Sequence, residues 1–188
     1  MKIIYLHGFN SSSKSKKAQI LKNSKAIKNL GFEIYLIDLP NSPYKAISEI
    51  EKVIKNDSKD TSLIGSSLGG FYASYLSDKY NLKSVTINPV ISLHLEKMEG
   101  LIGPQVNYHS NEEYEFTNDM FNELLNLKVK ILREPLNHFC LVKLNDQVLD
   151  HKKTIGYFDK AIMSIDREGS HEFSDFESKI PSILDFLR

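Results

Sequence analysis

The stretch Leu63-Ile64-Gly65-Ser66-Ser67-Leu68-Gly69-Gly70 (LIGSSLGG) decides how this chain is read. Two adjacent serines stand inside a glycine frame, and only one register satisfies G-x-S-x-G: Gly65-Ser66-Ser67-Leu68-Gly69. With Ser66 at the centre the flanking positions would be Ile64 and Leu68, and the pattern fails. The spacing has a steric reason. A nucleophile on a tight strand-to-helix turn occupies strained backbone with its hydroxyl exposed above the sheet. Side chains two residues before and after it would crowd that turn. With glycine and serine at average frequencies, a chance match in a chain of this length is expected only about 0.06 times. The flanks supply the context the motif requires, since Thr61–Ile64 reads as a strand and Phe71–Tyr80 as a helix. A phosphate-binding loop is the weaker reading. Gly70 is followed by Phe71-Tyr72 where a Walker loop needs Lys and Ser or Thr, and no G-x-G-x-x-G follows a strand.

Outward from this motif, short apolar runs alternate with amphipathic stretches. Strands are expected at Lys2–Leu6, Glu33–Asp38, Thr61–Gly65, Lys83–Asn88, His138–Leu144 and Ala161–Asp166. Several are nearly continuous in Ile, Leu, Val and Tyr, as strands covered on both faces should be. Ile20, Leu21, Ile27 and Leu30 share one helical face that ends at Gly31. Leu68, Tyr72 and Leu76 form another, and Asp175–Leu187 closes the chain as a helix. This alternation predicts an α/β fold with a mainly parallel six-stranded sheet in the order 2-1-3-4-5-6. The connection from Val90 to Asn137 is too long for a simple crossover. It is expected to carry a helix near Asn118–Leu127, little regular pattern over Gly100–Glu115, and a role as a lid or binding loop. The 188 residues fit one domain, with residues 90–137 as an insertion. The lysine-rich Ser11–Gln19 reads as a solvated helix start with serine capping its exposed amides.

Bulk properties narrow the partners. Formal net charge is zero, which gives no global attraction to nucleic acid or to an anionic membrane. The N-terminus lacks the apolar core of a signal peptide, and no run approaches membrane-spanning length, so a cytoplasmic protein is expected. The lone Cys140 lies in the apolar run Phe139–Val142 and is expected to be a buried structural thiol.

A serine nucleophile needs a base, and the base needs an orienting acid; in hydrolases with this motif the chain order is Ser, Asp or Glu, His. Of six histidines only His171 follows the last expected strand, in the turn Glu168-Gly169-Ser170-His171. His94, His109, His138 and His151 are expected at the surface or partly buried, and none forms a close metal-ligand pair, so no metal is assigned. Asp146 and Asp150 both follow the fifth strand. Asp146 is favoured as the acid, because Asp150 precedes a helical pattern and reads as an N-cap. The oxyanion needs two amide donors: Leu68, directly after the nucleophile, and Phe9 in the loop Leu6-His7-Gly8-Phe9-Asn10. His7 is read as an ordinary strand-end residue.

At these residues the sequence resembles the α/β-hydrolase superfamily, and within it the small YqiA-type bacterial esterases. The matching segments are YLHGFNSS (Tyr5–Ser12), LIGSSLGGFYA (Leu63–Ala73), INP (Ile87–Pro89), NDQVLD (Asn145–Asp150), GSHEF (Gly169–Phe173) and ILDFL (Ile183–Leu187). The resemblance implies a minimal three-layer α/β-hydrolase fold lacking the first two strands, and cofactor-free cleavage of a small-molecule carboxylic ester or thioester. It carries Ser67, Asp146 and His171 over as the triad and Phe9 and Leu68 as amide donors. Where the family's acid segment usually reads GDEVLD, this chain has Asn145-Asp146-Gln147-Val148-Leu149-Asp150. A catalytically weak binding protein on the same fold is the competing expectation.

Overall fold

The structure is a computed structural model that describes residues 1–55 and 60–188. In chain order its elements begin with β1 (Lys2–Leu6), α1 (Lys16–Asn23), α2 (Lys25–Asn29), β2 (Glu33–Leu36), α3 (Pro43–Lys55), β3 (Thr61–Ser66), α4 (Leu68–Tyr80) and β4 (Ser84–Ile87). There follow α5 (Leu95–Glu99), β5 (Gly103–Val106), β6 (Glu113–Phe116), α6 (Asn118–Asn126), β7 (His138–Lys143), α7 (His151–Tyr157), β8 (Ile162–Asp166) and α8 (Ile180–Leu187). Six strands form one parallel sheet in the order β2-β1-β3-β4-β7-β8. This is the order expected from the sequence.

The residues explain the layers. Strands β1, β3, β4 and β7 are buried at every position, so both faces must be covered. Alternation along β1 sends Ile4 and Leu6 to one face, where they join Ile47 and Ile50 of α3 and Leu76 of α4. Ile3 and Tyr5 face the other way and pack with Leu21 of α1 and Ile183 and Leu184 of α8. Each fully buried aliphatic side chain of this kind contributes about 1.5–3 kcal/mol. Cys140 is fully buried beside Leu132 and Phe158, and burial pushes its thiol up to about 12.

Several local expectations are corrected. The helix expected across Ile20–Leu30 is two helices. Ser24 takes an extended conformation (φ −60°, ψ 118°) and its hydroxyl caps the Ile27 amide. Ser15, at the start of α1, makes no cap; its hydroxyl bonds instead to the Tyr5 phenol at 3.5 Å. The closing helix is shorter than expected, because Phe176–Lys179 is a 3-10 turn and α8 begins at Ile180-Pro181. The second strand stops at Leu36 rather than Asp38.

The largest correction lies in Gly100–Glu115, which holds an antiparallel hairpin rather than irregular chain. In it Gly103 pairs with Phe116 and Gln105 with Tyr114. Pro104, Val106, Glu113 and Glu115 point to solvent while Gln105, Tyr114 and Phe116 turn inward. The period of two is real, but Gly103 and Gln105 occupy inward positions, which hides it from a hydrophobic pattern.

Candidate active site

The turn between β3 and α4 is locked by backbone contact. Ser67 has φ 53° and ψ −118°, a conformation costing about 1–3 kcal/mol for a residue with a side chain. Its amide donates to the Ile87 carbonyl at 3.0 Å. Its own carbonyl accepts from the amides of Gly70 (2.9 Å) and Val90 (3.0 Å). A Cβ on Gly65 would lie 2.2 Å from the Gly69 carbonyl oxygen, and one on Gly69 would lie 2.0 Å from that of Leu6. The two glycines of the motif are thus where the turn folds against itself and against β1. Ser66 is the last residue of β3, buried and paired in register with Ile87.

Ser67, His171 and Asp146 come together in one hydrogen-bonded line. The Ser67 Oγ is 3.0 Å from His171 Nε2, and His171 Nδ1 is 2.7 Å from Asp146 Oδ2. The other oxygen of Asp146, Oδ1, accepts from the amides of Val148 (2.8 Å) and Leu149 (2.9 Å). Burial pushes the Asp146 carboxyl upward, yet the bonds from His171, Leu149 and Val148 outweigh it and hold the group below its ordinary value. An ionised Asp146 keeps the proton of His171 on Nδ1 and leaves Nε2 to accept from the serine. Asp150 stands apart, accepting from the Lys152 amide as the N-cap of α7.

Phe9 and Leu68 lie on the two loops that flank Ser67. Among the described residues neither amide donates to an acceptor in the protein. The Phe9 amide belongs to the Gly8–Phe9 peptide, which His7 orients. His7 Nε2 accepts from the Leu39 amide at 2.9 Å, so its proton resides on Nδ1 and is donated to the Gly8 carbonyl at 2.9 Å. Burial lowers the pKa of His7 and favours this neutral form. His7 therefore does more than end a strand.

Sequence reasoning also missed the supports of the histidine loop. Asn88, directly after β4, has φ 40°; its amide group donates to the carbonyls of Ser170 (3.2 Å) and His171 (3.3 Å). Its oxygen accepts from the Lys143 amide at 2.9 Å. Lys143 is buried, and its ammonium pairs with Asp166 (2.9 Å) and Asp175 (2.7 Å). It also lies 4.4 Å from the centre of the Phe173 ring. Gln147, where the acid segment departs from the family pattern, accepts from the His171 amide at 3.3 Å. A polar residue ending a fully buried strand is the one signal that could have drawn attention to Asn88.

The remaining histidines lie away from this line. His94 and His138 are fully buried rather than at the surface. His94 Nε2 bonds the Asp150 carbonyl, and His138 Nδ1 bonds the Ser84 hydroxyl at 2.9 Å. Among the described residues no cluster of three or more His, Cys, Asp or Glu is placed to hold a metal, and no helix is long and apolar enough to cross a membrane.

Residues 2–188 match the Uncharacterised protein family (UPF0227), and the chain belongs to that family. A UPF0227 protein of Yersinia enterocolitica is 28% identical over 189 residues, covering 98% of this chain and 97% of that protein. Among solved structures, alpha/beta hydrolase domain-containing protein 10 from mouse has a TM-score of 0.75 at 13% identity, covering 100% of this chain and 90% of that one. The monoacylglycerol lipase of Paleococcus ferrophilus has a TM-score of 0.74 at 13% identity, covering 99% and 93%. At such identities the likeness bears on the fold alone. The fold is that of the α/β-hydrolases, with hydrolases, a lipase among them, as its structural neighbours, and the resemblance read from the motifs holds at that level.

Proposed function

We propose that this UPF0227 protein is a serine hydrolase that cleaves carboxylic esters, thioesters included, through an acyl-enzyme on Ser67. The observation that carries the reading is the continuous line from Asp146 through His171 to a serine on a strained turn. In this reading Ser67 Oγ attacks the ester carbonyl and passes its proton to His171 Nε2. Asp146 holds the imidazolium through Nδ1–H. The amides of Phe9 and Leu68 donate to the tetrahedral oxyanion, each lowering the barrier by about 3 kcal/mol. Collapse expels the alcohol or thiol, which takes the proton from Nε2. Water, deprotonated at the same nitrogen, then releases the acid and restores the serine. No metal or organic cofactor enters the scheme. The whole chain acts as one domain, and within residues 90–137 the β5–β6 hairpin forms a roof over the Phe9–Asn10 loop.

A fluorophosphonate probe tests this directly. The wild-type protein is expected to label stoichiometrically with loss of activity toward p-nitrophenyl acetate, and Ser67→Ala to resist labelling. Equal labelling of Ser67→Ala, or none of the wild type, overturns the proposal.

A further inference from the structure

Beside the oxyanion donors lies a second feature that the chemistry above does not use. A cleft of about 590 Å³ opens between the loop after β1, the loop after β2, the start of α3 and the tip of the β5–β6 hairpin. It adjoins a narrow gap of about 30 Å³ lined by Gly8, Phe9 and Leu68, and the two spaces share His7, Ser11, Leu39, Pro40, Asn41 and Asn107. A Cβ on Gly8 would stand 3.8 Å from Ser67 Oγ, so this gap lies against the nucleophile.

The cleft is polar. Its only apolar walls are Leu39, Pro40 and Met120; Lys14, Lys45, Asp38 and Glu112 place charges of both signs among serines and asparagines. The side chains of Asn41, Lys45 and His109 make no hydrogen bond or ion pair in the protein among the described residues, which leaves their donors and acceptors open to a ligand. An alkyl chain would strand these groups without partners, at a cost comparable to an unmade hydrogen bond each. A strongly anionic group would meet Asp38 and Glu112, and a cationic one Lys14 and Lys45. A neutral hydroxylated group satisfies both, because each hydroxyl donates to a carboxylate and accepts from an ammonium or amide. The gap beside the hairpin has more apolar walls, Leu68, Tyr72 and Tyr114 among them, but it is only about 30 Å³, because Phe9 packs edge-on against Tyr114 and Phe116.

We infer that this cleft is a substrate subsite for the hydrophilic half of an ester, a polyol or sugar-like group, joined to a short partner on the other side of the carbonyl. The inference rests on the serine-hydrolase reading and specifies its substrate class.

Carbon-matched ester pairs test it. Methyl gluconate against methyl hexanoate places the hydroxyls on the acyl side, and glucose 6-acetate against hexyl acetate places them on the alcohol side. At least a tenfold higher kcat/KM is expected for the hydroxylated member of one pair, and the pair identifies which half occupies the cleft. Asn41→Leu and Lys45→Met are each expected to erase that preference through KM, and Lys45→Met, which does not touch the gap beside Ser67, is expected to leave p-nitrophenyl acetate turnover unchanged. Equal or reversed preference in both pairs, with p-nitrophenyl acetate hydrolysed, overturns the subsite and spares the hydrolase. Titration of methyl gluconate and glucose 6-acetate into Ser67→Ala separates the opposite case. Saturable binding lost in the Asn41→Leu background supports the cleft even if turnover is absent, and absence of binding by both overturns it.

Discussion

The serine turn and the histidine loop meet at a 3.0 Å hydrogen bond, yet they are built on different principles. The turn is backbone packed on backbone. Gly65 and Gly69 touch carbonyl groups where no side chain fits, and the Ser67 peptide is bonded at both its amide and its carbonyl. The loop is held by side chains. Asn88, Gln147 and the buried Lys143 reach it from β4 and β7, and two aspartates balance the lysine. A contact between backbones tolerates one residue type, whereas a contact through side chains can be met in several ways.

Substitutions should expose that contrast. Gly69→Ala should have the largest effect, because its methyl would overlap the Leu6 carbonyl and neither backbone can yield. Little folded protein is expected, measured as loss of the cooperative thermal transition. Asp146→Asn should leave the fold intact and lower kcat about ten-thousand-fold, the scale found when the orienting acid of a serine triad becomes an amide. A wild-type circular dichroism spectrum with kcat reduced less than tenfold would remove Asp146 from its assigned role. Asn88→Ala should be milder. It frees the carbonyls of the histidine loop and strands the Lys143 amide, at about 1–3 kcal/mol of stability. Activity should fall about tenfold through kcat with KM unchanged, and Asn88→Asp should not restore it, since a carboxylate cannot donate to those carbonyls.

The smallest effect on the site should come from its far end. His138 and Ser84 pair where β7 and β4 begin, away from the serine turn. Burial lowers the imidazole to about 4, so the unfolded chain takes up a proton near pH 6.5 that the folded chain refuses. Stability should therefore be full above pH 6.5 and decline by about 3 kcal/mol as pH falls toward 4. His138→Gln should flatten this part of the stability profile without changing turnover at pH 7, checked by denaturant unfolding across the pH range.

The same contrast decides what could be read from the sequence. Gly65, Ser67 and Gly69 were legible because steric exclusion leaves little choice of residue, and the parallel sheet was legible because strands buried on both faces are apolar throughout. The hairpin was not, since Gly103 and Gln105 occupy its inward positions. The break at Ser24 depends on one residue's torsion and a cap that any serine in a helical pattern could equally decline. The roles of Asn88 and Lys143 were hidden for a related reason. Their partners lie 23 to 83 positions away along the chain, and the only local mark is a polar Asn88 at the end of a buried strand.

One feature of the roof bears on how such proteins diversify. Asn10 follows Phe9 directly, and its side chain is bonded to Gln105 at 3.0 Å and to the Tyr114 phenol at 2.7 Å, one from each strand of the hairpin. The hairpin is therefore no detachable module. A change in its length or register would be transmitted to the amide beside Asn10, so an insertion tried for a new substrate would alter rate and selectivity in the same step. Descendants of this chain can exchange hairpins only together with the residue that clasps them.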